Sequence, residues 1–274
     1  MKPLVLKFGG ELIEEPQRLQ HSVAAIRDIA DTTPLLIVHG GGREIDAALK
    51  AAGIEKRQVD GLRITDEATL DVVVAVLAGS VNTRLVAALT IAGVAAVGLT
   101  GADGACGLSE SAPPIHAVDG RVVDLGRVGL PVEGANMRLL LRLVEDGFVP
   151  VVACIGLGRD GRLFNVNADT FAGHLAARLG ARRLVIAGAT PGVLAADGAT
   201  LPLLDPAAMT RLVAHRTATA GMVAKLRACE EALSAGVDDV VIVDGREPSA
   251  LVAAAVGEMP PVATRLVARS GVGQ

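Results

Sequence analysis

PLVLKFGGEL, residues 3–12, is an apolar run of strand character that carries one lysine, Lys7, and runs straight into two glycines. Such a lysine either snorkels to solvent or meets an anion. A similar arrangement returns at LLIVHGGGREIDAAL, residues 35–49, where an apolar run reaches Gly40, Gly41 and Gly42 and then a helical pattern. Glycines let backbone N–H groups approach an anion closely, and the N-terminus of a helix favours negative charge. If the two runs are parallel strands, both turns lie at their carboxyl ends, where open α/β sheets bind ligands.

Outward from these runs, short apolar segments recur at 3–8, 34–39, 94–99, 149–155, 183–188 and 239–244. Most lack strict alternation, as strands covered on both faces do. Helical patterns lie near 16–30, 43–52, 66–92, 134–146, 169–179, 205–215, 221–235 and 247–256. Strands alternating with helices predict an α/β three-layer sandwich, with a mostly parallel central sheet and helices on both faces. AVDGRVV (117–123) and LGRDGRLF (157–164) place Asp-Gly between β-like residues and read as hairpins. The softest boundary is LGARR, 179–183, which predicts lobes 1–180 and 181–274 sharing one sheet.

Composition excludes several classes. The 274 residues are 51% apolar and 20% charged, with net charge −4, so the chain is not disordered and has no basic nucleic-acid footprint. Four Phe, no Tyr and no Trp leave little for base stacking. Cys106, Cys154 and Cys229 have no zinc spacing, which fits a reducing, cytoplasmic setting and no metal bound by the protein alone. No uninterrupted apolar run reaches the ~18 residues of a membrane span. Gly-Lys never occurs, so a Walker loop is absent. GLGRDG (156–161) matches a dinucleotide pattern but reads better as a hairpin turn. HGGG also occurs in esterases, yet no GxSxG elbow follows, and His39 reads as a packed residue.

Three further clusters join the glycine turns. Arg63 precedes a helix capped by Thr65 or Asp66, and arginine suits a carboxylate. Asn165, Asn167 and Asp169 stand ahead of another helix, and capping accounts for only one of them, Asp169 or Asn167. Lys225 lies close after Gly221 in the first turns of a helix, where a cation sits poorly against the dipole unless an anion is near.

The ordered motifs KFGG (7–10), HGGG (39–42), GLRIT (61–65), VNTRLV (81–86), AVGLTGADG (96–104), NVNAD (165–169) and TAGMVAK (219–225) resemble the amino acid kinase family across nearly the whole chain. In particular they resemble its branch acting on N-acetyl-L-glutamate in arginine biosynthesis. The resemblance implies that the side-chain carboxylate is phosphorylated by ATP, with Mg²⁺ carried on the nucleotide. It implies that Lys7 and Lys225 stabilise the transferring phosphoryl group and that Asp169 orients both. It assigns the acceptor to Gly41, Gly42, Arg63 and Asn165, and the nucleotide to Ala189, Thr190, Pro191, Gly192, Val193, Leu194, Thr217, Ala218 and Thr219. Gly10 is expected to complete the phosphate cradle, Asn167 to join the acceptor site and Met222 the nucleotide site. Sister kinases for N-succinylglutamate or carrier-linked aminoadipate, and a non-catalytic sensor, share these expectations. One departure stands out: relatives commonly carry Asp-Val before the glycine of the nucleotide loop, where this chain has Ala189-Thr190.

The chemistry suits the inventory. A carboxylate acceptor, with an ordinary pKa of ~4.3, needs no general base at neutral pH. The helix at 69–93 is apolar on several sides, which predicts a second partner surface, and the resemblance implies a two-fold homodimer around it. Arginine-sensitive relatives link dimers into rings through an extra N-terminal helix. With the first strand starting by Leu4, the expectation is an open dimer with little arginine inhibition.

Overall fold

Strands with no polar face need cover on both sides, and this constraint organises the molecule. The computed structural model describes residues 2–117, 120–214 and 220–268. Its main sheet has eight strands: β1 (Leu4–Phe8), β2 (Leu35–His39), β3 (Ala96–Thr100), β4 (Val149–Ala153), β5 (Arg183–Gly188), β6 (Leu203–Leu204), β7 (Val240–Asp244) and β8 (Ala263–Leu266). Their spatial order is β6-β8-β7-β5-β1-β2-β4-β3. From β7 across to β3 every neighbouring pair is parallel, whereas β8 runs antiparallel to β7. The sequence reading found neither β6 nor β8, because one is two residues long and the other, ATRL, is half polar.

The helices are α1 (Pro16–Ala30), α2 (Gly42–Ala51), α3 (Glu67–Val74), α4 (Asn82–Ile91), α5 (Arg138–Glu145), α6 (Ala168–Arg178), α7 (Pro206–Ala214), α8 (Ala220–Ser234) and α9 (Pro248–Val256). α1 packs on α4 and α9, and α6 packs on α8, giving a helix layer on each face. β1 lies at the centre, paired with β5 on one side and β2 on the other, and all five of its residues are buried.

The expected helix at 66–92 is not uniform. A π-helical stretch, Ala75–Val81, separates α3 from α4. Its wider turns press Leu77 and Val81 against the second glycine turn, where a Cβ on Gly41 would sit 2.9 Å from Leu77 Cδ2. Glu67–Ile91 is 25 residues long, and its most apolar 18-residue window has mean hydropathy 1.9, so by length and composition it could cross a membrane. It is not an uninterrupted apolar run, because Asn82 and Arg84 break it without lowering the average much. In the fold, α4 lies against β3 and β4.

Smaller sheets border the main one. Ile155–Leu157 and Leu163–Val166 form the expected hairpin, and Gly158 N–H donates to Arg162 O at 2.7 Å within it. Ile115–His116 and Val122–Val123 pair antiparallel, the second expected hairpin. A third went unread: Gln58–Val59 pairs with Leu62–Arg63 across Asp60 (φ 47°) and Gly61 (φ 81°). Two positive φ values at an Asp-Gly pair are the type I′ signature, so the signal was present.

Asn82 is the polar pin of this core. It is buried, and its Nδ2 donates to Val151 O at 2.9 Å and to His39 Nε2 at 3.0 Å. His39 Nδ1–H donates to Gly40 O at 3.1 Å, which leaves Nε2 as the acceptor. Burial pushes the imidazole pKa down to about 4, so His39 is neutral and structural. Asn82→Ala leaves His39 Nε2 buried without its donor and takes one donor from Val151 O, and is expected to cost about 2–3 kcal/mol. Urea denaturation should show a lower midpoint at unchanged m-value, and an unchanged midpoint would remove Asn82 from this role.

Candidate active site

β1 is buried along its whole length, so Lys7 cannot snorkel, and its ammonium lies 3.0 Å from Asp169 Oδ1. Lys225, from α8, donates to both oxygens of the same carboxylate at 3.2 Å. All three side chains are close to nine-tenths buried. Burial alone would raise the Asp169 pKa, but the two ammonium groups outweigh it and hold the carboxyl at about 2. Burial opposes the charge on Lys7, yet Asp169 and Glu11 more than offset it and raise its pKa. Lys225 is shifted the other way, lowered by burial and by the neighbouring Lys7. Two cations thus share one anion in a buried cluster, and the cluster carries one uncompensated positive charge.

Asp169 is free for this because Asn167 caps α6. The Asn167 carboxamide oxygen accepts from Asp169 N at 2.9 Å and from Thr170 N at 3.1 Å. Asn165 turns instead to Thr65, donating from Nδ2 to Oγ1 at 3.1 Å. At α3 the cap is Asp66, which accepts from Thr69 N.

The two glycine turns touch. A Cβ on Gly10 would sit 2.8 Å from Gly41 Cα, so neither turn admits a side chain there. Gly41 is the N-cap of α2 and offers no capping side chain, which leaves first-turn N–H groups available to an anion. Beside it lies a cavity of about 250 Å³ lined by Gly41, Gly42, Arg63, Cys154, Asn165 and Asn167, among others. Arg63 Nη2 donates to Asp46 at 2.6 Å, whereas Nη1 is buried with no partner. Asp46, which positions Arg63, escaped the sequence reading because one acid on a helix carries no pattern. A larger cavity of about 320 Å³, between α6 and α8, is lined by neither lysine and by neither glycine turn.

On the other side of β1 the loop 189–194 leaves β5. Ala189 N–H donates to Glu11 Oε1 at 3.0 Å, and Val193 N–H donates to Thr264 Oγ1 at 2.7 Å. Gly192 has φ 108°, and a Cβ there would meet Thr264. Thr190, Pro191 and Leu194 lie along the same loop, and Met222 is half-buried on α8. Thr217, Ala218 and Thr219 lie outside the described residues. Among the described residues, no group of three or more His, Cys, Asp or Glu could hold a metal ion.

The chain matches the model of the amino acid kinase family over residues 2–244. It is 42% identical over 260 residues to an acetylglutamate kinase of Sphingopyxis alaskensis, covering 90% of this chain and 83% of that one. It is 38% identical over 282 residues to an acetylglutamate kinase of Solidesulfovibrio magneticus, covering 98% and 88%. An N-acetylglutamate synthase structure from Neisseria gonorrhoeae, complexed with coenzyme A and N-acetyl-glutamate, superposes with TM-score 0.82 at 24% identity. That match takes in 98% of this chain but spans only 60% of the synthase.

The Asp169 shift has a definite sign. Its folded pKa of about 2 lies below the ordinary 3.8, so its stabilisation is complete above about pH 4 and is lost as pH falls towards 2. The gap corresponds to about 2 kcal/mol. The stability difference between wild type and Asp169→Asn, from urea melts across pH 2–6, should shrink on acidification over that window. A difference that stays constant or grows on acidification would refute the assignment.

Proposed function

The chain belongs to the amino acid kinase family, and from that membership and the site we propose that it transfers the terminal phosphoryl group of ATP to the side-chain carboxylate of N-acetyl-L-glutamate. This is an acyl-phosphate-forming step of arginine biosynthesis. The observation that carries the reading on the structural side is the buried positive excess of Lys7 and Lys225 over Asp169. Such a cluster is completed by an anion, and a phosphoryl group between two reactants is one.

The acceptor is already an anion at neutral pH, so the difficulty is to bring it to a polyphosphate. Lys7 and Lys225 offset the charge that spreads over the transferring group, and N–H groups of the Gly10 and Gly41 turns add donors. Asp169 holds both ammonium groups in place and is not consumed. Arg63 Nη1, buried and unpaired, suits a carboxylate of the acceptor, beside Gly42, Asn165 and Asn167. The loop from Ala189 to Leu194, with Met222 and the segment 217–219, takes the nucleotide. In this division of labour residues 1–180 hold the acceptor and 181–274 the nucleotide. Mg²⁺ would be carried with the nucleotide and would supply charge neutralisation when bound. We place the reaction in the cytoplasm.

Assembly as a two-fold dimer through residues 69–93 is supported by the exposed Ile91 and the half-exposed Val72 and Val74 on that helix. Light scattering at micromolar concentration should give twice the chain mass, and a monomer would rule the dimer out.

Lys7→Ala should fold normally and lose most of kcat in a coupled ADP-release assay. A kcat/KM within a few-fold of wild type would overturn its role. The same assay with free and acylated glutamate, aspartate and aminoadipate should favour N-acetyl-L-glutamate; better turnover of another acceptor would displace it. Arg63→Lys should raise the acceptor KM roughly tenfold with a smaller effect on kcat. Because Lys225 titrates below an ordinary lysine, activity should fall on the alkaline side before pH 10.5 as that charge is lost. Activity flat through pH 10.5 would contradict this order.

A further inference from the structure

Glu11 belongs to neither substrate set, yet it lies between them. It sits in the short 3-10 turn Gly10–Leu12 that follows β1. Its carboxylate occupies the gap between two glycines at the ends of adjacent strands. A Cβ on Gly9 would sit 2.6 Å from Glu11 Oε2, and a Cβ on Gly188 would sit 3.0 Å from Oε1. In that gap Oε1 accepts the Ala189 N–H at 3.0 Å, a bond between residues 178 positions apart.

The loop that begins at Ala189 is therefore tied at both ends by side chains. Glu11 holds its first amide, and Thr264 Oγ1 holds the amide of Val193. Only the first tie comes from the half of the chain that carries the acceptor pocket. On its other side Glu11 is continuous with Gly10, which packs on Gly41 at the mouth of that pocket. A carboxylate in this position has a cost, because it repels the polyphosphate that the neighbouring lysines attract. Its attraction to Lys7 and the charge-assisted bond to Ala189 offset that cost.

We propose that Glu11 is a positioning residue for the nucleotide: it pins the start of the 189–194 loop to the first glycine turn and so sets the loop conformation on which ATP affinity depends. This rests on the reading of that loop as the nucleotide site. The pin also answers the missing acid of Ala189-Thr190, because the carboxylate reaches the loop from the opposite half of the chain.

Glutamine separates the pin from the charge, since Glu11→Gln keeps an acceptor oxygen and Glu11→Ala removes it. Two measurements on the full chain decide the matter. The first is hydrogen exchange of the Ala189 amide without nucleotide: protection should persist in wild type and Glu11→Gln and be lost in Glu11→Ala. The second is titration with a magnesium complex of a non-hydrolysable ATP analogue. Glu11→Gln should bind within about twofold of wild type or tighter, and Glu11→Ala roughly tenfold more weakly, the scale of one hydrogen bond to a charged group. Acceptor KM and thermal midpoint should move little, which a general structural role would not predict. Equal protection and equal affinity in Glu11→Ala would overturn the pin. A Glu11→Gln variant as weak as Glu11→Ala would also overturn it, and would assign the charge itself, for example to the metal on the nucleotide. If wild type failed to bind the analogue, the nucleotide reading would fall, and the exchange measurement would still decide whether Glu11 holds the loop.

Discussion

One carboxylate shared by two ammonium groups is the constraint on which the rest of this molecule depends. Asp169 meets Lys7 and Lys225, which are 218 positions apart in the chain (225 − 7). Burying three charges is expensive, and the two ammonium groups are tolerated only while Asp169 stays between them. The carboxyl ends of β1 and the N-terminal turns of α6 and α8 must therefore arrive together. The parallel sheet makes that possible. β1 pairs with β5 and β2 in register, so the turns that follow all three open on one edge.

That edge was legible in the sequence because its signals are local. Apolar runs ending in glycine announced β1 and β2, and a lysine inside such a run cannot be ignored. The residues 165–169 were only half legible. The pattern narrows the cap to Asn167 or Asp169 but does not choose between them; the choice of Asn167 depends on where the preceding strand delivers the chain. Asp46 and Glu11 carried no local signal at all, and Asn82 stood only inside the motif VNTRLV with no role attached to it. Each acts on a partner far away in sequence, and an acid or an amide on an ordinary surface helix looks the same. The two short strands at the far edge, β6 and β8, were lost for the opposite reason: too few residues and too little apolar character to register as a period.

The same distinction separates the two sides of the site. The side we propose for the acceptor is built from glycine turns, an asparagine cap and an arginine held by an aspartate, all within or next to regular elements. On the side we propose for the nucleotide, the loop from Ala189 is fixed by side chains reaching in from elsewhere, Glu11 and Thr264. Its conformation is thus a tertiary property. Sequence can reveal that an acid is missing from such a loop, but only the fold shows where another acid stands.

The π-helical stretch Ala75–Val81 makes the chain length between α3 and α4 a matter of phase. A turn closed by i→i+5 bonds takes one more residue than an α turn for nearly the same rotation, so the wide stretch stores an extra residue while keeping the elements on either side of it in step. Leu77 meets Gly41, and Asn82 meets His39 and Val151, across a length of helix that holds more residues than α geometry would need. In α3 or α4 a lost residue has no such store behind it and turns everything beyond by about 100°, so Ala75–Val81 is where this helix can give up a residue at least cost to the contacts past it.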